Sequence, residues 1–446
     1  MAIHNCLVFI RSYIIGLTKL IKMNNTWKSF LFYTFVFLKM AGFIKTRPPR
    51  ESPGKMAWGR FKRNPTAMAG LLWIILSVFL AVAGYLITPD PTPFANHQQL
   101  EIATEKPGFS AAFLFIRKNI SFRGTPVWRK MLFGSPLPYT TIPVQSWSMD
   151  GEVLEYETWS GADGYPGLAG EASLWDVAYA LPGNGQAEKT PDGKFQITDL
   201  NGDRHLVALD ALQERVREEH LRTRRFLLGT DRFGRDMLSQ LIIGTRVSLS
   251  VGFIAVIISL VIGISLGSLA GFFRGRLDDL IVWLINVVWS IPTLLLVIAI
   301  TFALGKGFWQ VFVAVGLTMW VEVARLVRGQ VISIREKEFV ESARALGLGN
   351  FRIIRRHILP NVMGPVVVIS AANFASAILI EAGLSFLGIG VQPPMPSWGT
   401  MIREHYGYII LDKAYLAVLP GLCIMFMVLA FMLVGNGLRE ATDRLA

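Results

Sequence analysis

Residues 338–361, EFVESARALGLGNFRIIRRHILPN, form a basic, half-polar segment set between long hydrophobic runs. Phe339, Val340, Ala343 and Leu346 recur at helical spacing, Gly347 and Gly349 break the pattern, and a cationic helix follows up to Pro360. This punctuation predicts a helix–turn–helix over 332–360 lying across a membrane surface. Such an element has faces to offer a partner.

The rest of the composition fits that setting. The chain has 446 residues, of which 52% are hydrophobic and only 17% charged. Several runs approach or exceed the roughly 20 apolar residues that cross a bilayer. The net charge of +12 is read as cationic loop bias in a membrane protein, not as a nucleic-acid footprint. Cys6 and Cys423 lie far apart, one in an apolar run, and make no disulfide framework.

Residues 1–56 read as an N-terminal extension. Their apolar stretches at 6–19 and 28–44 are interrupted by Arg11, Lys19, Lys22, Lys28 and Lys39. Two readings stay open: an amphipathic or targeting extension, or a functional chain that starts at Met23, Met40 or Met56. Residues 57–89 comprise a cationic lead-in (Arg60, Lys62, Arg63) and a first transmembrane helix from Ala67 to Thr88, stopped by Pro89, Pro91 and Pro93. Residues 90–226 are polar and rich in Gly, Pro, Asp and Ser, with a strand-like piece at Lys194–Ile197 and a charged helix-like piece at Asp210–Arg224. They predict a small mixed α and β region.

Five further spans are expected within 227–446, near 245–272, 278–304, 309–329, 361–388 and 415–436. With six spans, the clusters Arg60/Lys62/Arg63, Arg274/Arg276, Arg325–Arg356 and Arg439/Arg444 share one face. Both termini are then cytoplasmic and 90–226 lies outside. Glu322 and Arg325 fall near the cytoplasmic end of the fourth span. Glu381 sits within an apolar run and is either a functional intramembrane carboxylate or a hydrogen-bonded packing residue.

A second dense stretch, Leu228–Leu249, reads LGTDRFGRDMLSQLIIGTRVSL. Thr230 or Asp231 suits a helix cap, and Asp231 and Asp236 suit a helix N-terminus. Met237, Leu238, Leu241 and Ile242 make an apolar face, so an interfacial elbow helix before the second span is expected.

These two stretches carry a family resemblance. Residues 338–361 resemble the EAA loop of ABC-transporter membrane subunits, with Glu341, Ala343, Gly347, Leu359 and Pro360 matching; Ser342 and His357 replace the usual alanine and isoleucine. Residues 228–249 resemble a signature of the C-type permease subunit of dipeptide, oligopeptide and nickel importers. Gly229, Thr230, Asp231, Gly234, Arg235, Asp236, Ser239, Gly244, Arg246, Ser248 and Leu249 match, and Gln240 departs from the usual arginine. Pro292, the stretch Glu381–Gly390 and PPMPSWG at 393–399 also look like their counterparts. The resemblance covers 57–89 and 227–446, but not 1–55, and covers 90–226 weakly.

The resemblance implies an all-α membrane protein: a six-helix ABC importer permease with a MetI-like core and an inserted mixed α/β extracytoplasmic region. It implies a multi-pass protein of the bacterial inner membrane that is not an enzyme. Its expected partners are a second homologous permease, two ATP-binding subunits, an extracytoplasmic solute-binding protein and membrane lipid, with peptides as cargo. Glu341, Ser342, Ala343, Gly347, His357, Leu359 and Pro360 would dock the ATPase; Gly229, Asp231, Gly234, Arg235, Asp236 and Arg246 would form the outer signature. No cofactor or metal is expected: the chain carries no phosphate loop and no H-E-x-x-H site. A secondary transporter or channel is the competing reading, and it requires ion-coupling residues in repeated broken spans.

Overall fold

A computed structural model describes residues 53–122, 124–161, 165–182, 187–305 and 307–443. Most of the extension at 1–56, with Cys6, Met23 and Met40, lies outside the described residues, as does Arg444. A short helix, α1 (Pro53–Phe61), is followed by the first long apolar helix, α2 (Pro65–Ile87). Asn64 caps α2 by accepting from the Ala67 amide at 3.1 Å, and Pro65 takes a first-turn position where no N–H is needed. The helix stops just before Pro89.

The chain then builds two antiparallel sheets. β1 (Ser110–Arg117), β2 (Tyr139–Asp150), β3 (Val153–Thr158) and β4 (Ala169–Ser173) are joined later by β8 (Leu221–Arg225), in the order β4-β3-β2-β1-β8. β5 (Glu188–Lys189), β6 (Phe195–Thr198) and β7 (Arg204–Val207) form the second sheet in sequence order. Leu114, Val144, Leu154, Leu174, Val177, Phe195, Leu212 and Val216 fill the core between them. Ser110 of β1 pairs with Arg225 of β8, so the region begins and ends side by side. The charged segment expected as one helix over Asp210–Arg224 is helical only at Leu209–Arg215. After a wide turn at Val216–His220 it becomes β8, because β1 offers an open edge that outweighs local helical preference.

From Asp236 onward the molecule is helical: α3 (Met237–Phe273), α4 (Arg276–Trp289), α5 (Thr293–Leu304), α6 (Phe308–Arg335), α7 (Glu338–Ala345), α8 (Asn350–Phe386), α9 (Trp398–His405) and α10 (Tyr415–Asp443). Among the described residues, five helices are long and apolar enough to cross a membrane: α2, α3, α6, α8 and α10. The pair α4 and α5 makes a sixth only as a broken span, bent by 93°. The expectation of one straight span over 278–304 is therefore corrected. Pro292 has no N–H to continue the ladder and its ring opposes the preceding turn, so the helix stops at Ser290 and restarts in a new direction.

Two other boundaries differ from expectation. The elbow before the second span is not a separate helix; Met237–Phe273 is continuous, about 55 Å long. Pro360 does not end the cationic helix either. A wide-turn stretch at Ile354–Ile358 precedes it and relaxes the ladder where the proline ring would clash, so α8 runs on to Phe386.

The bundle is organised around α3 and α6. Gly263, Gly267 and Gly271, four residues apart, line the face of α3 that meets α6. An added Cβ at these positions would come within 2.5 Å of Val323 Cβ, 2.5 Å of the Ala324 carbonyl and 2.7 Å of the Arg328 carbonyl. Small residues thus let the two backbones approach closely where water-driven burial contributes little. The sheets lie at the Met237 end of α3 and α7 lies at the Phe272 end, so the two candidate sites occupy opposite ends of the bundle.

Candidate coupling helices and signature site

At the Phe272 end, α7 and the first turns of α8 share one apolar core with the ends of α3 and α6. Val340, Ala343, Ile353, Ile354 and Ile358 pack against Phe272, Val327, Val331 and Ile334. Between the helices, the Gly347 amide bonds the Arg344 carbonyl at 2.9 Å and the Leu348 amide bonds the Ala343 carbonyl at 3.2 Å. This is the double-bonded C-terminal turn that needs a left-handed residue, and Gly347 supplies φ +74°. Leu348 tucks onto the same core, locking the return of the chain.

The outer side of this pair carries what the core rejects. Phe339, Leu346 and Phe351 are exposed, the last two at 81% and 75%, beside Glu341, Arg344, Arg352, Arg355 and Arg356. Ser342 is exposed and donates to the Glu338 carbonyl; Ala343 faces inward. Gly347 and Pro360 are exposed, while His357 and Leu359 are half-buried. The His357 carbonyl accepts from Asn361 Nδ2 at 2.7 Å. The arrangement is a rigid, short element whose exposed face mixes apolar and cationic side chains.

At the opposite end, the GTDRFGRD stretch folds into a buried knot. Asp231 Oδ1 accepts the amides of Phe233 and Arg235, at 2.8 and 2.9 Å. Its Oδ2 receives Arg235 Nε at 2.6 Å. Arg235 also donates to Glu404 of α9 at 3.0 Å and to Asn96 at 3.2 Å. Gly234, at φ +70°, lies so close to the Gln99 carbonyl that a Cβ would sit 1.7 Å from it. The α3 cap is Asp236, not Thr230 or Asp231: its carboxylate accepts the Ser239 amide at 2.8 Å and also the Ser239 hydroxyl. Burial pushes the Asp236 carboxyl up, against the opposing effect of those bonds and of Arg224. Thr230 instead ties down the 102–105 segment, donating to the Ile102 carbonyl and accepting the Glu105 amide.

Asp231, Glu404 and His405 bring ligand atoms within 4.8 Å of one another. The Arg235 guanidinium already bridges both carboxylates and Arg232 lies 3.6 Å from Glu404, so arginines are the cationic partners of this cluster. Burial lowers His405, whose Nδ1 donates to the Met401 carbonyl at 2.7 Å.

The signature is not one site. Arg246 lies ten residues beyond Asp236, about 15 Å along α3, and donates to the Ala81 and Val82 carbonyls at 2.7 and 3.1 Å. It also holds the Leu132 and Met131 carbonyls and stacks on Tyr85. It clamps α2 to the short helix Val127–Phe133. Glu381 is fully buried and accepts from Ser385 Oγ at 2.7 Å; Ser385 in turn accepts from Val391 N and Ser397 Oγ. These contacts tie α8 to the loop before α9.

Some partners escaped the reading of the sequence. Glu404 has no motif to flag it, and neither does Asp278, which meets Arg328 through two bonds of 2.6 and 2.7 Å. Glu322 lies near the middle of α6, six residues or about 9 Å from Arg328.

Residues 263–445 match the family model described as binding-protein-dependent transport system inner membrane component. Residues 52–107 match that of the N-terminal TM domain of oligopeptide transport permease C. Among curated relatives, a di/tripeptide transport system permease of Pseudomonas aeruginosa is 45% identical over 220 residues, covering 49% of this chain and 72% of the relative. A glutathione transport system permease of Pectobacterium atrosepticum is 40% identical over 48% of this chain and 71% of its own length. An oligopeptide transport system permease of Bacillus subtilis is 37% identical over 48% of this chain and 70% of its own length. A solved chain titled as the MetNI methionine ABC transporter in inward-facing conformations aligns at 21% identity and TM-score 0.40, over 46% of this chain and 98% of that one. The sheet region between β1 and β8 lies outside both matched family segments. The chain belongs to the binding-protein-dependent transport system inner membrane components, the permeases of ABC importers.

Proposed function

We propose that this permease moves peptides inward, powered by ATP hydrolysis on separate subunits that dock against α7 and the start of α8. The α7–α8 element carries the reading: a short helix pair with a fixed glycine turn, packed on the ends of α3, α6 and α8, exposing Phe339, Leu346, Phe351 and several arginines. A displacement of this element is transmitted to three spans through one continuous apolar core. The names of the relatives, which transport dipeptides, tripeptides, oligopeptides and glutathione, support a peptide-like solute.

In this reading the partners are a homologous permease, two ATP-binding subunits and an extracytoplasmic solute-binding protein. ATP is held by the partner subunits, and the cationic ends of the spans support a cytoplasmic position for both termini. The sheet region over 90–226 then faces outward, where it contacts the binding protein. Deleting residues 100–215 without loss of binding-protein docking would remove that last assignment. Affinity purification of the tagged chain from its native membrane, with mass spectrometry, tests the whole reading. Recovery of a second permease and phosphate-loop ATPases supports it. Recovery of the chain alone, in a detergent that preserves other complexes, moves the reading to a self-sufficient transporter.

A further inference from the structure

Glu322 stands out among the charged residues of the spans. It is exposed near the middle of α6, and among the described residues it makes no hydrogen bond and no ion pair. The nearest cation along the helix, Arg325, is engaged elsewhere: its guanidinium lies 3.5 Å from the centre of the Trp289 ring. Arg328, further on, is held by Asp278. A carboxylate facing lipid within a span is costly, so such groups face a polar cavity or a partner.

The structure supplies that cavity. A space of about 230 Å³ opens beside the 93° break between α4 and α5, and Glu322 lines it together with Trp289, Thr293, Thr318, Ser376 and Ile380. Two spans, α6 and α8, and the broken pair contribute three hydroxyl groups and one carboxylate to an otherwise apolar wall. Irregular backbone within a membrane is tolerated where it lines such a cavity, and discontinuous spans mark solute sites in other transporters.

We infer that Glu322 lies on the solute's route and receives the positively charged amino end of the cargo as it passes the α4–α5 break. This rests on the reading of the protein as a peptide importer, since every unmodified peptide carries an N-terminal ammonium. Thr318 and Ser376 would accept the remaining ammonium hydrogens, and the Trp289 face would border the adjacent side chain. Such a contact must be weak enough to release, which a single carboxylate with hydroxyl neighbours satisfies better than a closed cage.

The test uses the complete importer in proteoliposomes, with radiolabelled di- and tetra-alanine as probes. Glu322→Gln is expected to lower uptake by about tenfold or more, the loss that removing one charged hydrogen bond brings. ATP hydrolysis stimulated by the binding protein should stay within about twofold, and Glu322→Asp should recover most of the uptake. Unchanged uptake by Glu322→Gln would overturn the inference. So would loss of the partner permease during purification of that variant, which would make Glu322 a subunit contact. If the native complex itself takes up neither peptide, the cargo reading fails, and the ammonium assignment falls with it.

Discussion

Arg235 Nη2 lies 3.0 Å from Glu404 Oε2, joining the loop before α3 to helix α9 across 169 residues of chain. Because the same guanidinium bonds Asp231 at 2.6 Å, one arginine neutralises two carboxylates at the mouth of the bundle. Removing it leaves Asp231 buried without its cation, and Glu404 with only Arg232 at 3.6 Å. Arg235→Ala is therefore expected to cost about 3–5 kcal/mol, read as a lowered melting temperature of the detergent-purified protein. Arg235→Lys should recover only part of this, because an ammonium cannot present the same fork.

The glycine turn between α7 and α8 gives a sharper dissection. A Cβ at Gly347 meets nothing within 4 Å, so the effect of substitution is backbone strain rather than a clash. Gly347→Ala should cost roughly 1–2 kcal/mol locally and weaken recovery of ATP-binding subunits. Gly347→Arg should abolish that recovery while the chain remains inserted in the membrane. Normal uptake and normal co-purification in Gly347→Arg would remove the coupling assignment.

The α3–α6 seam is expected to respond differently. Gly267→Leu places side-chain atoms where the Ala324 carbonyl already lies 2.5 Å from the Cβ position. Separation of the two helices should cost about 1–3 kcal/mol or more, seen as a lower yield of folded protein. Gly329→Ala, on α6 but with no neighbour within 4 Å of its Cβ, is the matched control and should be neutral.

Much of this is legible in the sequence, for local physical reasons. Hydropathy alone marks the long spans, and the α7 turn announces itself because Gly347, Leu348 and the apolar face of α7 lie within a few residues. The 93° break at Pro292 was not legible, since prolines within membrane helices often bend a span only slightly. Nor was the Arg235–Glu404 pair, which depends on how distant segments meet. Asp231 looked like a helix cap because its type and position suit one; the loop used it as the partner of Arg235 and left capping to Asp236. In the sheet region, β8 looked helical because its pairing edge, β1, lies over a hundred residues earlier.

Acid should loosen the sheet region and the knot around Asp231. Burial lowers His220, whose Nδ1 bonds the Phe115 carbonyl at 2.6 Å, and also lowers His97 and His405. In each case the unfolded chain takes up a proton that the folded one resists. Stability is therefore complete above the ordinary histidine value of about 6.5 and falls as pH drops below it. The melting temperature at pH 5.5 should lie below that at pH 7.5. His220→Gln should narrow the difference, and an unchanged difference would exclude His220 as a contributor.

The central claim is that the exposed face of α7 and the start of α8 receives an ATP-binding subunit. Phe351 is 75% exposed on that face, and Tyr165 is 71% exposed in the sheet region, beyond the other end of the bundle. A photo-crosslinking benzoylphenylalanine at each position, activated in native membranes and followed by mass spectrometry, separates the two surfaces. The account predicts a phosphate-loop ATPase linked at position 351 and absent at position 165. An ATPase captured only at position 165, or none at 351 in membranes that still support uptake, would contradict it.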